Sequence, residues 1–335
     1  MEKVLTIVVP SYNVEKYLEQ TLNSFVEETV LREIEVLIVD DGSKDTTAEI
    51  GKKYEDKYPE TFRVISKENG GHGSTINKGI EEGCGKYFKV VDGDDWVNTP
   101  DFVKLVQALK TCDADYVVTN YYEVHDGTGK KTPQTYRELK QDGSWPFCDV
   151  AGRTQIGMHP LVIKTSILQE HHIRLDEHCF YVDVEYVLFP VPYVESVAYF
   201  DLFVYMYRLA QATQSVSMQG YQKHMQNHID VIFHLVDFLQ SYQKQQEERC
   251  KVRYISKRIA QMIGDQITIF MSFPAGDRDI KTQFMEFDRK MKSKSKLLYQ
   301  LSGEESGMLR LLRKTKFKGY RIILRCGRIR NGMKG

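Results

Sequence analysis

Across residues 307–335 the sequence has no acidic residue, although Lys and Arg recur throughout that stretch. The rest of the chain carries the balancing acidic excess, and the formal net charge of the 335 residues is +0. A balanced chain carries no global footprint for nucleic acid, so no nucleic-acid partner is expected. Long apolar runs are missing too. The richest, residues 186–207, is broken by Glu195 and Asp201, whereas a membrane helix needs about 20 apolar residues. Met1 runs straight into an apolar stretch without a basic leader or cleavage site, so secretion is not expected. The six cysteines, at positions 84, 112, 148, 179, 250 and 326, form no C-x-x-C pair and no zinc spacing. They read as reduced thiols of a cytoplasmic protein.

What is present is an ordinary globular composition, 41% hydrophobic and 27% charged, on a chain long enough for about two domains. Residues 4–9 form a continuous apolar run closed by Pro10, which predicts a strand buried on both faces. Residues 14–30 have helical spacing, with Tyr17, Leu18, Leu22, Phe25 and Val26 on one face. Strands are predicted over 35–39, 62–66 and 87–91, and helices over 45–58 and 74–82. That alternation predicts an α/β fold, a mostly parallel central sheet with helices on its faces and ligands beyond the carboxyl ends of the strands. A helix over 101–110 and a strand over 115–118 follow, then a polar loop or small hairpin region over 121–152. Helices are predicted over 163–171 and 178–188, and a strand over 197–207. From Gly220 the pattern is helical only (221–246, 253–273 and 282–292), so the chain divides into an α/β domain over 1–219 and a helical C-terminal region over 220–335.

The sharpest chemical feature is Asp92-Gly93-Asp94-Asp95-Trp96, directly after an apolar strand. Carboxylates two apart on an extended segment point to one side, so Asp92 and Asp94 can converge. Hard divalent cations, Mn²⁺ or Mg²⁺, take such oxygens and complete their shell with phosphates. A solvated turn also uses Asp and Gly, but this run lies beside a second strand-end pair, Asp40-Asp41. A carboxylate there can accept from the N–H of a base. Pro10-Ser11-Tyr12-Asn13 closes the first strand in the same layer, and Tyr12 offers an aromatic face to a pyrimidine, worth about 1–3 kcal/mol per stacked base.

Taken in order, Pro10-Ser11-Tyr12-Asn13, Asp40-Asp41-Gly42-Ser43, Asn69-Gly70-Gly71, Asn77-Lys78-Gly79 and Asp92-Gly93-Asp94-Asp95-Trp96 resemble the inverting glycosyltransferases of family 2, of the bacterial cell-surface polysaccharide type. The resemblance spans about residues 3–217 and implies the GT-A fold. It implies a nucleotide-sugar donor, a UDP-sugar, held by Pro10, Tyr12, Asp41, Asn69, Asp92, Asp95 and Arg208, with Tyr12 and Asp41 at the base. Asp92 and Asp94 would hold the metal, Mn²⁺ or Mg²⁺. Downstream, residues 175–177 and 181–186 resemble the acceptor region, where Asp183 keeps the position of the catalytic base and Val182 replaces the usual Glu. Residues 205–208 and 214–217 resemble the segment that closes over the diphosphate, where the fork of Arg208 suits phosphate. The family often has Ala-Arg-Asn after the Gly-rich turn. This chain has Thr75-Ile76-Asn77, so that cation is missing unless Lys78 replaces it.

The function implied is inverting transfer of a sugar to a hydroxyl of a glycan or lipid-linked acceptor. A non-catalytic nucleotide-sugar or glycan binder on the same scaffold would lack either the metal carboxylates or the base. A nucleotidyltransferase would want a Gly-rich basic loop that 10–15 lacks, and Ile76 stands where a dinucleotide fingerprint needs its third Gly. In the tail, Arg310, Arg313, Lys314, Lys316, Lys318, Arg321, Arg325, Arg328 and Arg330 interleave with Leu309, Leu312, Phe317, Tyr320, Ile323, Leu324 and Ile329. Such a helix suits peripheral contact with an anionic membrane through 307–335, which would place the protein at the inner face of the cell membrane.

Overall fold

The computed structural model describes residues 2–140, 143–209, 217–245 and 248–322. Two compact units are present, Met1–Ala212 and Thr213–Gly335. The first unit is built on strands β1 (Leu5–Ser11), β2 (Ile34–Asp40), β3 (Phe62–Ser66), β4 (Tyr87–Val90), β5 (Trp96–Val97), β6 (Tyr116–His125), β7 (Lys131–Gln134), β8 (Ser144–Pro146), β9 (Leu161–Lys164) and β10 (Ser196–Leu209). Its helices are α1 (Glu15–Asn23), α2 (Thr47–Lys57), α3 (His72–Glu82), α4 (Thr99–Leu109), α5 (Phe147–Ala151), α6 (Thr165–Glu170) and α7 (Asp183–Leu188).

The sheet runs β3-β2-β1-β4-β9-β6-β10-β5, with β7 on β6 and β8 on β10. β3, β2, β1 and β4 are mutually parallel, as are β6 and β10. β9 joins the two groups antiparallel to both. Every residue of β1 is buried, because helices cover a parallel sheet on both faces and its strands become apolar throughout. Register then aligns the chemistry. Ser11 pairs with Asp40 across β1 and β2, and Val8 pairs with Val90 across β1 and β4. The carboxyl ends of three neighbouring strands therefore stop level, at the edge where a parallel α/β sheet binds ligands.

The structure corrects three expectations. The helix begun at residue 15 stops at Asn23, because Phe25 leaves it to pack edge-on against Phe102, with ring centroids 5.5 Å apart. Residues 163–171 are not one helix: Leu161, Val162 and Ile163 form a buried strand before α6 begins. A short apolar run cannot be assigned by periodicity alone, and here the gap between β4 and β6 decides it. The region 121–152 holds the small hairpin expected as one of two alternatives, β6 against β7, with β8 and α5 after it. Cys84, Cys112 and Cys179 are free thiols, but Cys148 is disulfide-bonded, against the expectation of reduced cysteines throughout.

The second unit is helical: α8 (Met218–Lys223), α9 (Met225–Gln245), α10 (Arg249–Ser272), α11 (Arg278–Lys294), α12 (Lys296–Glu305) and α13 (Gly307–Lys314). Val236, Ile263, Phe270, Phe284, Met291 and Leu298 are buried in it, and Phe270 stacks on Phe284 with centroids 4.7 Å apart. The described part of the tail's apolar stripe is buried in this unit. Leu309, Leu312, Phe317 and Tyr320 are buried, and Phe317 and Tyr320 pack edge-on against Phe284. Arg313 bonds Asp288 at 2.8 Å. Arg310, Lys314, Lys316, Lys318 and Arg321 stay exposed, with Leu311 and Ile322 beside them. Ile323, Leu324, Arg325, Arg328, Ile329 and Arg330 lie outside the described residues. No helix among the described residues is long and apolar enough to cross a membrane.

Candidate functional site

The turns after β1 and β2 are laced together. Asp41 N–H donates to the Ser11 carbonyl at 2.9 Å, Ser43 Oγ accepts from Asn13 N–H at 3.0 Å, and Asn13 Oδ1 accepts from Lys44 N–H at 2.8 Å. Asn13 takes a left-handed φ of 53° to do this, a conformation Asn tolerates. Tyr12 is pushed outward and is 49% exposed. The Pro10 carbonyl accepts from Gly93 N–H at 3.0 Å. A Cβ on Gly93 would lie 2.9 Å from that same oxygen, so only glycine lets the acidic loop lie against the end of β1.

Asp41 is buried and already bonded. Its Oδ1 accepts from Lys67 Nζ at 2.7 Å and Gly70 N–H at 2.9 Å, and its Oδ2 accepts from Gly71 N–H at 2.8 Å. Asn69 Nδ2 donates to the Asp41 carbonyl at 2.9 Å. Asp41 therefore shapes the Gly-rich turn. The other side of the turn meets residues 175–178. His178 N–H donates to the Gly70 carbonyl, and Asn77 clasps Leu175 by both main-chain groups, at 2.9 and 2.8 Å. A Cβ on Gly73 would stand 2.1 Å from the Asp176 carbonyl oxygen. The glycines here admit a neighbouring chain segment.

Asp92 and Asp94 are part-exposed, whereas Asp95 is 1% exposed and points inward. Tyr205 OH donates to Asp95 Oδ2 at 2.6 Å, and Arg208 N–H donates to its Oδ1 at 2.6 Å. Burial, then the charges of Asp94 and Asp92, push the Asp95 carboxyl well above its ordinary range. Tyr205 OH also accepts from Asp92 N–H at 3.2 Å, so one phenol ties two members of the cluster. Arg208, read from the sequence as a phosphate fork, lies beneath the loop. Its Nε donates to the Asp94 carbonyl at 2.8 Å, Nη1 to Asp126 at 2.9 Å and Nη2 to Gln20 at 2.7 Å. Its guanidinium carbon lies 4.7 Å from the Tyr17 ring centroid and 4.6 Å from that of Trp96.

Two histidines absent from the sequence reading stand at this cluster. His72, the first residue of α3, places Nε2 at 2.7 Å from Asp92 Oδ1. Burial opposes its protonation, but the charges of Asp92, Asp183 and Asp94 outweigh burial and raise its pKa. His159 stacks on Tyr207 with centroids 4.1 Å apart, and burial lowers its pKa to about 4, so it is neutral near pH 7. Its ring nitrogen shares a region 4.8 Å across with carboxylate oxygens of Asp92 and Asp95. Beneath it the fully buried Lys89 donates to the His159 carbonyl at 2.6 Å. Asp183, part-exposed at the start of α7, acts on both His72 and His159. The segment leading to it holds His172, His178 and Tyr181 at positive φ, 51°, 54° and 68°, and such strain clusters at functional sites. Residues 214–216, expected over the diphosphate, lie outside the described residues.

Among the described residues the group able to hold a divalent cation here is Asp92, Asp95 and His159, and the expected partner Asp94 is not in it. A parallel sheet with acidic and aromatic residues at its carboxyl edge defines the GT-A class of nucleotide-sugar-binding folds. Residues 6–162, just under half of the chain, match the model of Glycosyl transferase family 2. A putative glycosyltransferase, EpsH, of Bacillus subtilis is 36% identical over 140 residues, 41% of this chain and 39% of the relative. The matched part thus spans well under half the length of that relative. The crystal structure of S. aureus TarS 1-349 in complex with UDP-GlcNAc superposes with a TM-score of 0.63 at 18% identity, over 98% of this chain and 92% of TarS 1-349. A mannosyltransferase, PcManGT of Pyrobaculum calidifontis, in complex with GDP-Man and Mn²⁺, gives 0.51 at 13% identity, over 98% and 88%. These two likenesses concern the fold.

Proposed function

We propose that this protein transfers a sugar, with inversion, from a UDP-sugar to a hydroxyl of a glycan or lipid-linked acceptor in cell-surface polysaccharide synthesis. One observation carries the reading: the Gly93 N–H donates to the Pro10 carbonyl at 3.0 Å, so the acidic loop of residues 92–95 lies against the strand end that carries Tyr12. Tyr12 and Pro10 receive the base, helped by Asp41 and Asn69, whose turn is already braced. Asp92 and Asp94 would hold Mn²⁺ or Mg²⁺, which supplies positive charge to the diphosphate leaving group. Asp183 accepts the proton of the attacking hydroxyl, a role its partial exposure suits. Arg208 and Tyr205 keep the acidic loop in place from below. Support for the donor class comes from the family match and from the UDP-GlcNAc complex of a protein of like fold.

The exposed basic face of the tail, Arg310, Lys314, Lys316, Lys318 and Arg321, would hold the protein against an anionic membrane by charge, each cation adding about 1 kcal/mol. A panel of nucleotide-sugars incubated with Mn²⁺ tests the activity, with release of the nucleoside diphosphate as the readout. UDP-sugars should be hydrolysed slowly and EDTA should stop the reaction. Binding of UDP-sugars without release, acceptors included, would instead identify a non-catalytic binding protein.

A further inference from the structure

The missing arginine leaves a question that the structure can answer. Ile76, at its position, is fully buried. Lys78 pairs with Glu82 at 2.7 Å and Glu81 at 3.5 Å. Lys67 is bonded to Asp41, and Arg208 lies under the loop. The basic side chain that bonds the Asp92 carboxylate is His72.

We propose that His72 is a positioning residue for the metal–diphosphate centre: its Nε2–H holds the Asp92 carboxylate in the orientation that receives the cation and the donor. This rests on the glycosyltransferase reading above. Two observations beyond the 2.7 Å bond support it. Asp92 is gripped from two sides, its carboxylate by His72 and its main-chain N–H by Tyr205, so the His72 bond fixes the remaining freedom, rotation of the side chain. And His72 is itself fixed. Thr75 Oγ1 donates to its carbonyl at 2.6 Å, and the preceding Gly70 and Gly71 N–H groups are bound to Asp41. One turn thus sets both the base end and the phosphate end of the donor site. A carboxylate whose orientation is fixed by an outer hydrogen bond binds its metal about 10–100-fold more tightly than one left to rotate.

Calorimetric titration of UDP in the presence of Mn²⁺, with Mn²⁺ binding followed in parallel by electron paramagnetic resonance, tests this on the full chain. His72→Ala should weaken Mn²⁺–UDP binding by about 10-fold or more with an unchanged melting temperature. His72→Gln keeps a donor that reaches Asp92 and should restore affinity to within about 3-fold. In turnover, His72→Ala should raise KM for the nucleotide-sugar more than it lowers kcat. Equal affinity of wild type and His72→Ala overturns the proposal. So does loss in both variants with intact melting, which would assign the effect to charge rather than to the hydrogen bond. A drop in melting temperature that His72→Gln does not reverse makes His72 structural and also overturns it. If wild type itself binds neither Mn²⁺ nor UDP, the nucleotide-sugar reading falls, and with it this one.

Discussion

Arg208 and Asp94 meet side chain to backbone. The Arg208 Nε donates to the Asp94 carbonyl at 2.8 Å while its guanidinium lies between the Tyr17 and Trp96 rings. A buried cation from β10 thus sets where a proposed metal ligand stands. Arg208→Lys keeps the charge but loses the fork and the stacking surface. Urea unfolding should show a loss of about 2 kcal/mol or more, and Mn²⁺–UDP binding should weaken as the loop relaxes. An unchanged midpoint would show that the loop is held by other contacts.

Asp183→Asn should leave UDP affinity near wild type and lower kcat by about 10²–10⁴-fold, the cost of removing a general base. Steady-state kinetics alongside calorimetry separate the two quantities. If affinity fell and kcat did not, Asp183 would belong to the donor site.

Gly73→Ala would place a methyl group 2.1 Å from the Asp176 carbonyl oxygen. The obstacle is backbone, so α3 or the acceptor segment must shift, at a cost of about 1–3 kcal/mol. Gly152→Ala, where nothing lies within 4 Å, should be close to neutral in the same thermal melts. Equal melting of the two variants would contradict the close approach.

Among the described residues no carboxylate pairs with the buried Lys89, and burial lowers its pKa from 10.5 to about 7. Between those values the unfolded chain binds the extra proton, so this group makes stability rise with pH, by at most ~1.4 kcal/mol per unit. Its penalty is full below about pH 7 and fades toward pH 10.5. Lys89→Met removes the titration, so its stability relative to wild type should be greatest at pH 7 and decline by pH 9.5. Parallel curves in urea across that range would mean that Lys89 is not neutralised by burial.

Vesicle flotation addresses the basic tail. Full-length protein should float with anionic vesicles at low salt and release at high salt, because charge is the attraction and salt screens it. Reversing Lys314, Lys316, Lys318 and Arg321 to Glu should abolish flotation while leaving the melting temperature unchanged, since these side chains are exposed. Equal flotation of both proteins would rule out this face as the contact.

The alternation that gives β1 to β4 was legible because buried parallel strands are continuous apolar runs closed by polar turns, as Pro10, Asp40 and Asp92 show. The residues at those strand ends were legible for the same reason. β9 was not, since Leu161-Val162-Ile163 is too short for its period to separate strand from helix, and only its neighbours β4 and β6 decide. The inward turn of Asp95 was hidden because Tyr205 and Arg208, its partners, lie more than a hundred positions downstream. His72 left a faint trace in the Gly71-His72-Gly73 turn, but its meaning depends on Asp92, brought beside it by the β1–β4 register. In the tail, the interleaved pattern fitted a membrane face and a packed helix equally, and Phe284 settles where Phe317 and Tyr320 go.

The joint between the Gly-rich turn and residues 175–178 is written largely in main-chain atoms: the Gly70 carbonyl, the His178 amide, both polar groups of Leu175, and the Asp176 carbonyl against a bare Gly73. Main-chain atoms are the same whatever residue carries them. Substitutions at 175, 176 and 178 can therefore accumulate across descendants while the seam stays closed, as long as Asn77 and the glycines persist. Such a seam lets the proposed acceptor side diversify in evolution without renegotiating the proposed nucleotide side.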